Sequence, residues 1–252
     1  MDGRPIERFS ARVSDYLAAR PGYPTAIIEN LRAAGALPAG AAVADVGSGT
    51  GISSALFLDA GCRVFAVEPN DAMRAAAEQQ FSGHQGFVSV AGSAEATTLP
   101  AASIDLVAAG QAFHWFRPAA AAVEFSRILR LGGWVTLFWN TRDHDATPFM
   151  RDLEDLIRRF GTDYEAVHHE QLPDVALAQV MPRRRQMFVM PNRQVLDRQG
   201  LHARLLSASY LPPRGSPDAA VMLTQADRLF DQYAEGAAVT IQYRTQQYLG
   251  QT

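Results

Sequence analysis

VADVGSGTG, residues 43–51, runs a short apolar stretch straight into three glycines at alternate positions. Val43 to Val46 read as a buried strand, and the glycines as the turn that leaves it. Gly47 and Gly49 can adopt positive φ and place no Cβ between the backbone and a bound molecule. A tight turn alone rarely needs three glycines in five residues. The spacing is G-x-G-x-G, whereas the dinucleotide fingerprint is G-x-G-x-x-G. Asp45 stands two residues before the first glycine, where it would repel a pyrophosphate and suit a ligand bearing an ammonium group. A nicotinamide oxidoreductase is disfavoured on both counts.

The pattern repeats outward from this turn. GISSALFLDAG (51–61) reads as a helix closed by Gly61, CRVFAVE (62–68) as a second strand, and NDAMRAAAEQQF (70–81) as a helix capped by Asn70 or Asp71. GFVSVAG (86–92) and SIDLVAAG (103–110) are the next strands. PAAAAVEFSRILRLGG (118–133) is expected to be a helix with Pro118 near its first position and Gly132 just past its end, followed by the strand WVTLFWN (134–140). Apolar runs alternating with helical patterns make βαβ units and a parallel sheet, whose ligands sit at the carboxyl ends of the strands.

Composition narrows the function. The chain has 252 residues and a net charge of −3, so no overall basic field draws it toward nucleic acid or anionic lipid. Its one cysteine, Cys62, excludes an internal disulfide and fits a buried strand. MDGRPIERFS lacks a signal-peptide core, and no apolar run reaches transmembrane length, so a cytoplasmic protein is expected. His168 and His169 are adjacent and point in different directions, without further converging ligands, so no metal site is expected. Arg183 to Arg185 read as a solvated or anion-facing loop.

Glu68 closes the second strand, where a carboxylate can accept both hydroxyls of a ribose; a solvated strand-end acid is the plainer alternative. Met73 can pack on an adenine face. The loop after the third strand, GSAEATTLP (92–100), can read an adenine edge through the Ala94 N–H and a side chain from Ser93 or Glu95. GQAFHWF (110–116) follows the fourth strand. Gly110 and Ala112 are small enough for close approach of a ligand, Gln111 carries an amide, and His114 is the best candidate for a base because imidazole titrates near neutrality.

In this order and at these strand ends, the motifs resemble those of the class I S-adenosylmethionine-dependent methyltransferases, within the small-molecule group called type 11. The match runs from Asp45 to Asn140. FSARVSDYLAARPGYP (9–24) adds that group's N-terminal pattern, which implies that Tyr16 and Arg20 reach the methionine end of the cofactor. The resemblance implies S-adenosylmethionine as cofactor and S-adenosylhomocysteine as product. It implies a site of Tyr16, Arg20, Asp45, Gly47, Ser48, Gly49, Glu68, Pro69, Met73, Ser93, Ala94, Glu95 and Gln111. The group commonly has Asp where this chain has Ser93. The Asn/Asp-Pro-Pro-aromatic tetrapeptide of enzymes that methylate exocyclic base amines is missing at 110–115, which argues against a nucleic-acid substrate. AFHWF resembles instead a segment of carboxyl methyltransferases of the trans-aconitate type and of natural-product O-methyltransferases.

The expected fold is therefore α/β: a Rossmann-like, seven-stranded, mostly parallel sheet with helices on both faces, an antiparallel last strand and a helical cap. Residues 1–40 are expected to form a helical arm broken at ARPGYP, 41–140 the cofactor-binding core, and 141–252 the cap helices with the last strands. Within 141–252, helices are expected over 147–161, 193–209 and 217–236, and strands over 185–190 and 238–250. The expected function is methyl transfer to a small molecule, chiefly to oxygen, with His114 as base and Phe113, Trp115 and Trp139 lining the acceptor site. The alternatives are a non-catalytic binder of the cofactor and a C- or N-methyltransferase. A monomer or homodimer without metal or membrane partner is expected.

Overall fold

The computed structural model describes residues 19–162 and 174–252. Its strands are β1 (Ala42–Val46), β2 (Arg63–Val67), β3 (Phe87–Val90), β4 (Ile104–Gly110), β5 (Leu129–Arg142), β6 (Arg183–Leu196) and β7 (Val239–Gln251). Its helices are α1 (Ala26–Ala33), α2 (Ile52–Asp59), α3 (Asp71–Gln80), α4 (Pro118–Ile128), α5 (Pro148–Phe160), α6 (Asp174–Val180), α7 (Arg198–Leu206) and α8 (Pro217–Tyr233), with a 3₁₀ turn over Phe113–Trp115.

The strands form one sheet in the order β3-β2-β1-β4-β5-β7-β6. β1 pairs in parallel with β2 and β4, β2 with β3, and β4 with β5. β7 runs against β5: Gln251 donates to the Gly132 carbonyl, Thr136 to the Tyr248 carbonyl and Thr245 to Asn140, so residue numbers rise on one strand as they fall on the other. The sheet is thus mostly parallel with an antiparallel last strand. From β1 the chain builds outward to β3, then returns to lay β4 on the other side of β1. That reversal puts the turn after β1 at the topological switch point, where open α/β sheets bind ligands.

Burial on both faces explains why β1, β2 and β4 read as unbroken apolar runs. Val43, Leu106, Ala108 and Phe138 pack with Ile27 and Leu31 of α1 and Phe57 of α2. Val46, Val107, Ala109 and Leu137 face the other way, onto Phe125 and Ile128 of α4 and Leu177 and Val180 of α6. A separate core joins Met150 and Leu153 of α5, Leu201 and Leu205 of α7, and Met222 and Phe230 of α8 to Ile241 and Tyr243.

The described residues divide into two compact units. One comprises Gly22–Asn140, 174–190 and Thr245–Thr252; the other comprises 19–21, 141–162 and Pro191–Arg244. No helix among the described residues is long and apolar enough to cross a membrane.

Three local expectations are corrected. α4 ends at Ile128, not near Gly132, because Leu129 turns extended (φ −69°, ψ 141°), is buried, and pairs with Ile104. The pairing then shifts register before Leu106 meets Trp134, and Gly132 supplies a positive φ inside that irregularity rather than at a helix end. Residues 193–196 belong to β6, and α7 begins only after Asp197, whose carboxylate caps the Gly200 N–H at 2.7 Å. α6 was not expected at all. It spans seven residues with two buried positions, Leu177 and Val180, too short a pattern to announce a helix.

Candidate active site

The turn after β1 is fastened to the end of β2. The Val67 carbonyl accepts the Gly47 N–H at 2.8 Å and the Ser48 N–H at 3.2 Å. Gly47, Gly49 and Gly51 all have positive φ. Each is glycine for a different reason. A Cβ on Gly47 would lie 2.6 Å from the Cβ of Ala112, and one on Gly51 would enter the Phe81 ring. Beside Gly49 the space is open, with only the Met73 sulfur near, at 3.7 Å.

Glu68 follows β2 and is buried. Its two carboxylate oxygens accept the Gly49 N–H at 3.0 Å and the Asn70 N–H at 2.8 Å. Burial pushes its pKa up, against the pull of those two N–H groups and of Arg74. A carboxylate has about four lone-pair sites, so two remain for hydroxyls of a ligand. Asn70 caps α3 by accepting the Ala72 and Met73 N–H groups, which settles the choice between Asn70 and Asp71 and sets Met73 beside the glycine turn. Pro69, between them, is exposed.

Asp45 is fully buried on β1. Its Oδ2 accepts the hydroxyls of Ser53 at 2.7 Å and Ser54 at 2.6 Å, from the first turn of α2. Burial lifts its carboxyl to about pKa 6; the two serines pull it down and Glu68 adds to the rise. Its Oδ1 has no hydrogen-bond partner, and neither does Ser48 Oγ or Thr50 Oγ1. Unpaired buried polar atoms cost about 1–3 kcal/mol each, so three in six residues make this turn a candidate ligand site.

The 92–100 loop, from which an adenine contact is expected, follows β3. Ala94 is buried between Ser93 and Glu95, and the Ser93 hydroxyl donates to Glu95 at 3.1 Å. Glu95 also accepts the Arg117 N–H at 2.8 Å, at the start of α4. Further on, Glu124 accepts the Thr97 N–H and hydroxyl at 2.8 and 2.5 Å and two Arg127 nitrogens at 2.7 Å each. The Arg127 hydrogen bonds hold the Glu124 carboxyl down at about pKa 2. This clamp, set by neighbours almost 30 residues apart, had no sequence signal.

Gln111 has φ +55° after β4, and its side-chain oxygen accepts the Asn140 N–H at 2.6 Å, tying the ends of β4 and β5 together. Gly110 leaves room for neighbours within the fold: a Cβ there would lie 2.8 Å from Phe138 and 2.9 Å from the Tyr23 hydroxyl. Phe113 is buried, while His114 and Trp115 are exposed and their rings lie 4.7 Å apart. Trp139 stacks on Tyr248, with centroids 5.4 Å apart and planes at 19°. Tyr16, His168 and His169 lie outside the described residues. Arg20 belongs to the second unit, where its Nη2 donates to the Ser207 carbonyl at 3.0 Å.

Residues 44–137, from β1 through β5, match the family model of the methyltransferase domain. That stretch is similar to methyltransferase domains. An uncharacterized methyltransferase of Mycobacterium tuberculosis strain H37Rv is 39% identical over 158 residues, 61% of this chain and 60% of that protein. An uncharacterized methyltransferase-like protein of Schizosaccharomyces pombe is 31% identical over 63% of this chain and 60% of its own length. The chain thus matches about 60% of the length of these curated relatives. Among solved structures, a protein assigned as a type II methyltransferase from Anaeromyxobacter dehalogenans has a TM-score of 0.67 at 22% identity, over 92% of this chain and 97% of that one. At that identity the likeness shows the shared fold. In the present fold the glycine turn, Glu68 and the 92–100 loop follow the carboxyl ends of β1, β2 and β3, the end of an open α/β sheet at which ligands generally bind.

Proposed function

We propose that the protein transfers a methyl group from S-adenosylmethionine to a small-molecule acceptor, with oxygen as the accepting atom. The observation that carries this reading is the set of orphaned polar atoms on the glycine turn, Asp45 Oδ1, Ser48 Oγ and Thr50 Oγ1, beside the open space at Gly49. The methyltransferase relatives and the domain match support it.

In this reading Glu68 takes the ribose hydroxyls, Met73 packs on the adenine, and Ala94 with Ser93 and Glu95 reads its edge. Asp45, Ser48 and the Gly47 and Gly49 backbone hold the amino-acid end, with Gln111. When bound, S-adenosylmethionine supplies a methyl group activated by a positively charged sulfur. The work left to the chain is to align the acceptor in line with that group and exclude water. Phe113, Trp115 and Trp139 are assigned to the acceptor's surroundings. His114 takes the proton of an acceptor hydroxyl; a carboxylate acceptor has no proton to give.

The test is direct. Titration with S-adenosylhomocysteine and with NAD distinguishes the cofactor class, and tight NAD binding without S-adenosylhomocysteine binding sinks the proposal. Incubation with labelled S-adenosylmethionine and a set of phenols and carboxylic acids then reads transfer to oxygen. Cofactor binding with no transfer to any acceptor favours the non-catalytic binder instead.

A further inference from the structure

One buried polar atom on the α4 and α6 face of the sheet has no part in the chemistry described so far. Gln246 Oε1, on β7, is buried without a hydrogen-bond partner. The strand alternates regularly around it. Thr245 donates to the Asn140 side chain at 2.6 Å, Gln247 donates to the Ile27 carbonyl at 3.4 Å, and Leu249 packs with Ile27 and Leu31. These three residues share the face that α1 covers. Gln246 and Tyr248 therefore lie on the opposite face, with α4 and α6. Tyr248 is buried there, in the core that holds Phe113 and Leu177.

Trp139 packs against that same core and stacks on Tyr248. The antiparallel pairing that sets Thr245 beside Asn140 sets Gln246 beside Trp139. Gln111, after β4, binds the Asn140 N–H at 2.6 Å, so this level of β5 and β7 adjoins the turn that carries Phe113. Deeper on the same face Val135, Leu137 and Tyr248 are buried, whereas Trp139 and Gln246 are half-buried. All of these residues belong to one compact unit. The charge acting on Tyr248 is negative: after burial, it is Asp174 that pushes its phenol up.

We propose that Gln246, beside Trp139 and Tyr248, selects a neutral hydroxylated aromatic compound as the methyl acceptor, by accepting a hydrogen bond from its hydroxyl. The inference deepens the methyl-transfer reading and rests on it for the word acceptor. A buried amide oxygen is satisfied by a hydrogen-bond donor and repels an ionised carboxylate. Aromatic side chains offer an apolar surface on which a ring can pack edge-on or offset. Of the acceptor classes named above, phenols meet both conditions and carboxylates fail the first.

The experiment is ligand-observed NMR titration of the full chain with phenol and catechol, with their methyl ethers anisole and veratrole, and with benzoate. Each is measured with and without S-adenosylhomocysteine, whose own binding is read by calorimetry. The two hydroxyl compounds are expected to bind about 3- to 10-fold more tightly than their ethers, the range for one neutral hydrogen bond. Benzoate is expected to bind more weakly than phenol. Gln246→Met keeps the bulk and removes the acceptor, so the preference should fall to within about twofold while the ligand-free Tm stays level or rises. A purely structural Gln246 would lower that Tm. No binding of either hydroxyl compound, ethers or benzoate binding as tightly as phenol, an undiminished preference in Gln246→Met, or a lower Tm of that variant overturns the proposal. Loss of S-adenosylhomocysteine binding alone strikes the methyl-transfer reading, and the hydroxyl preference measured without that ligand is judged by itself.

Discussion

Glu68 Oε2 accepts the N–H of Gly49 at 3.0 Å, so the acid that ends β2 also holds the glycine turn that ends β1. Its other oxygen holds the Asn70 N–H, which opens α3. One carboxylate therefore joins the turn, the second strand and the helix that carries Met73.

Glu68→Gln removes that double acceptance, because an amide has one acceptor oxygen for the two N–H groups. Hydrogen bonds to a charged group contribute about 1.5–3 kcal/mol, so S-adenosylhomocysteine affinity is expected to fall about 10- to 100-fold. Calorimetric titration reads this. Affinity within twofold of the wild type contradicts the assignment of Glu68 to the ribose.

Much of this arrangement is legible in the sequence, and the reason is local. Strands buried on both faces must be apolar throughout, and glycines that need positive φ leave a spacing. Leu129, Val195 and Leu196 mislead because one apolar pair near charged residues suits helix and strand equally, and only pairing across the sheet decides. The same holds in the site. Asp45, the glycines and Glu68 are named by their positions at strand ends, whereas the partners of Gln111, Glu95 and Trp139 depend on Asn140, Arg117 and Tyr248, which no local pattern indicates.

Gly47→Ala tests whether the turn is glycine for space or for backbone freedom. The residue has φ +70°, which costs an L side chain about 1–2 kcal/mol, and the new methyl would also meet Ala112. The single variant is expected to be destabilised by more than that strain. Gly47→Ala with Ala112→Gly should recover the contact part and keep the strain. A cycle of denaturant melts measures the coupling; additive effects would mean that the turn relaxes away from Ala112.

His114 is exposed, so His114→Ala is expected to change stability by less than about 0.5 kcal/mol. With a phenol or alcohol acceptor, turnover is expected to drop about 100-fold or more, in the range that general-base catalysis contributes. With a carboxylic acid as the methylated group, turnover should hardly change. An undiminished rate on a hydroxyl acceptor would remove His114 from proton transfer.

Asp45 gives the protein a pH dependence of defined sign. Its carboxyl titrates at about 6 when folded and near 3.8 otherwise, and burial shifts Glu68 in the same direction. Between about pH 4 and pH 6 the native state therefore binds more protons than the unfolded chain, and stability falls as pH rises. For Asp45 the loss is on the order of 2–3 kcal/mol. Glu124 acts oppositely and at lower pH: held at about 2, it stabilises above its unfolded pKa of 4.5 and loses that contribution as pH falls toward 2. Asp45→Asn keeps an acceptor for Ser53 and Ser54 but removes the proton, so the decline between pH 4 and 6 should shrink markedly. A ligand that sets an ammonium beside Asp45 favours the ionised form. S-adenosylhomocysteine should thus bind the wild type more tightly as pH rises through about 6, and Asp45→Asn with little pH dependence. Equal slopes in the two proteins would show that Asp45 does not titrate in this window.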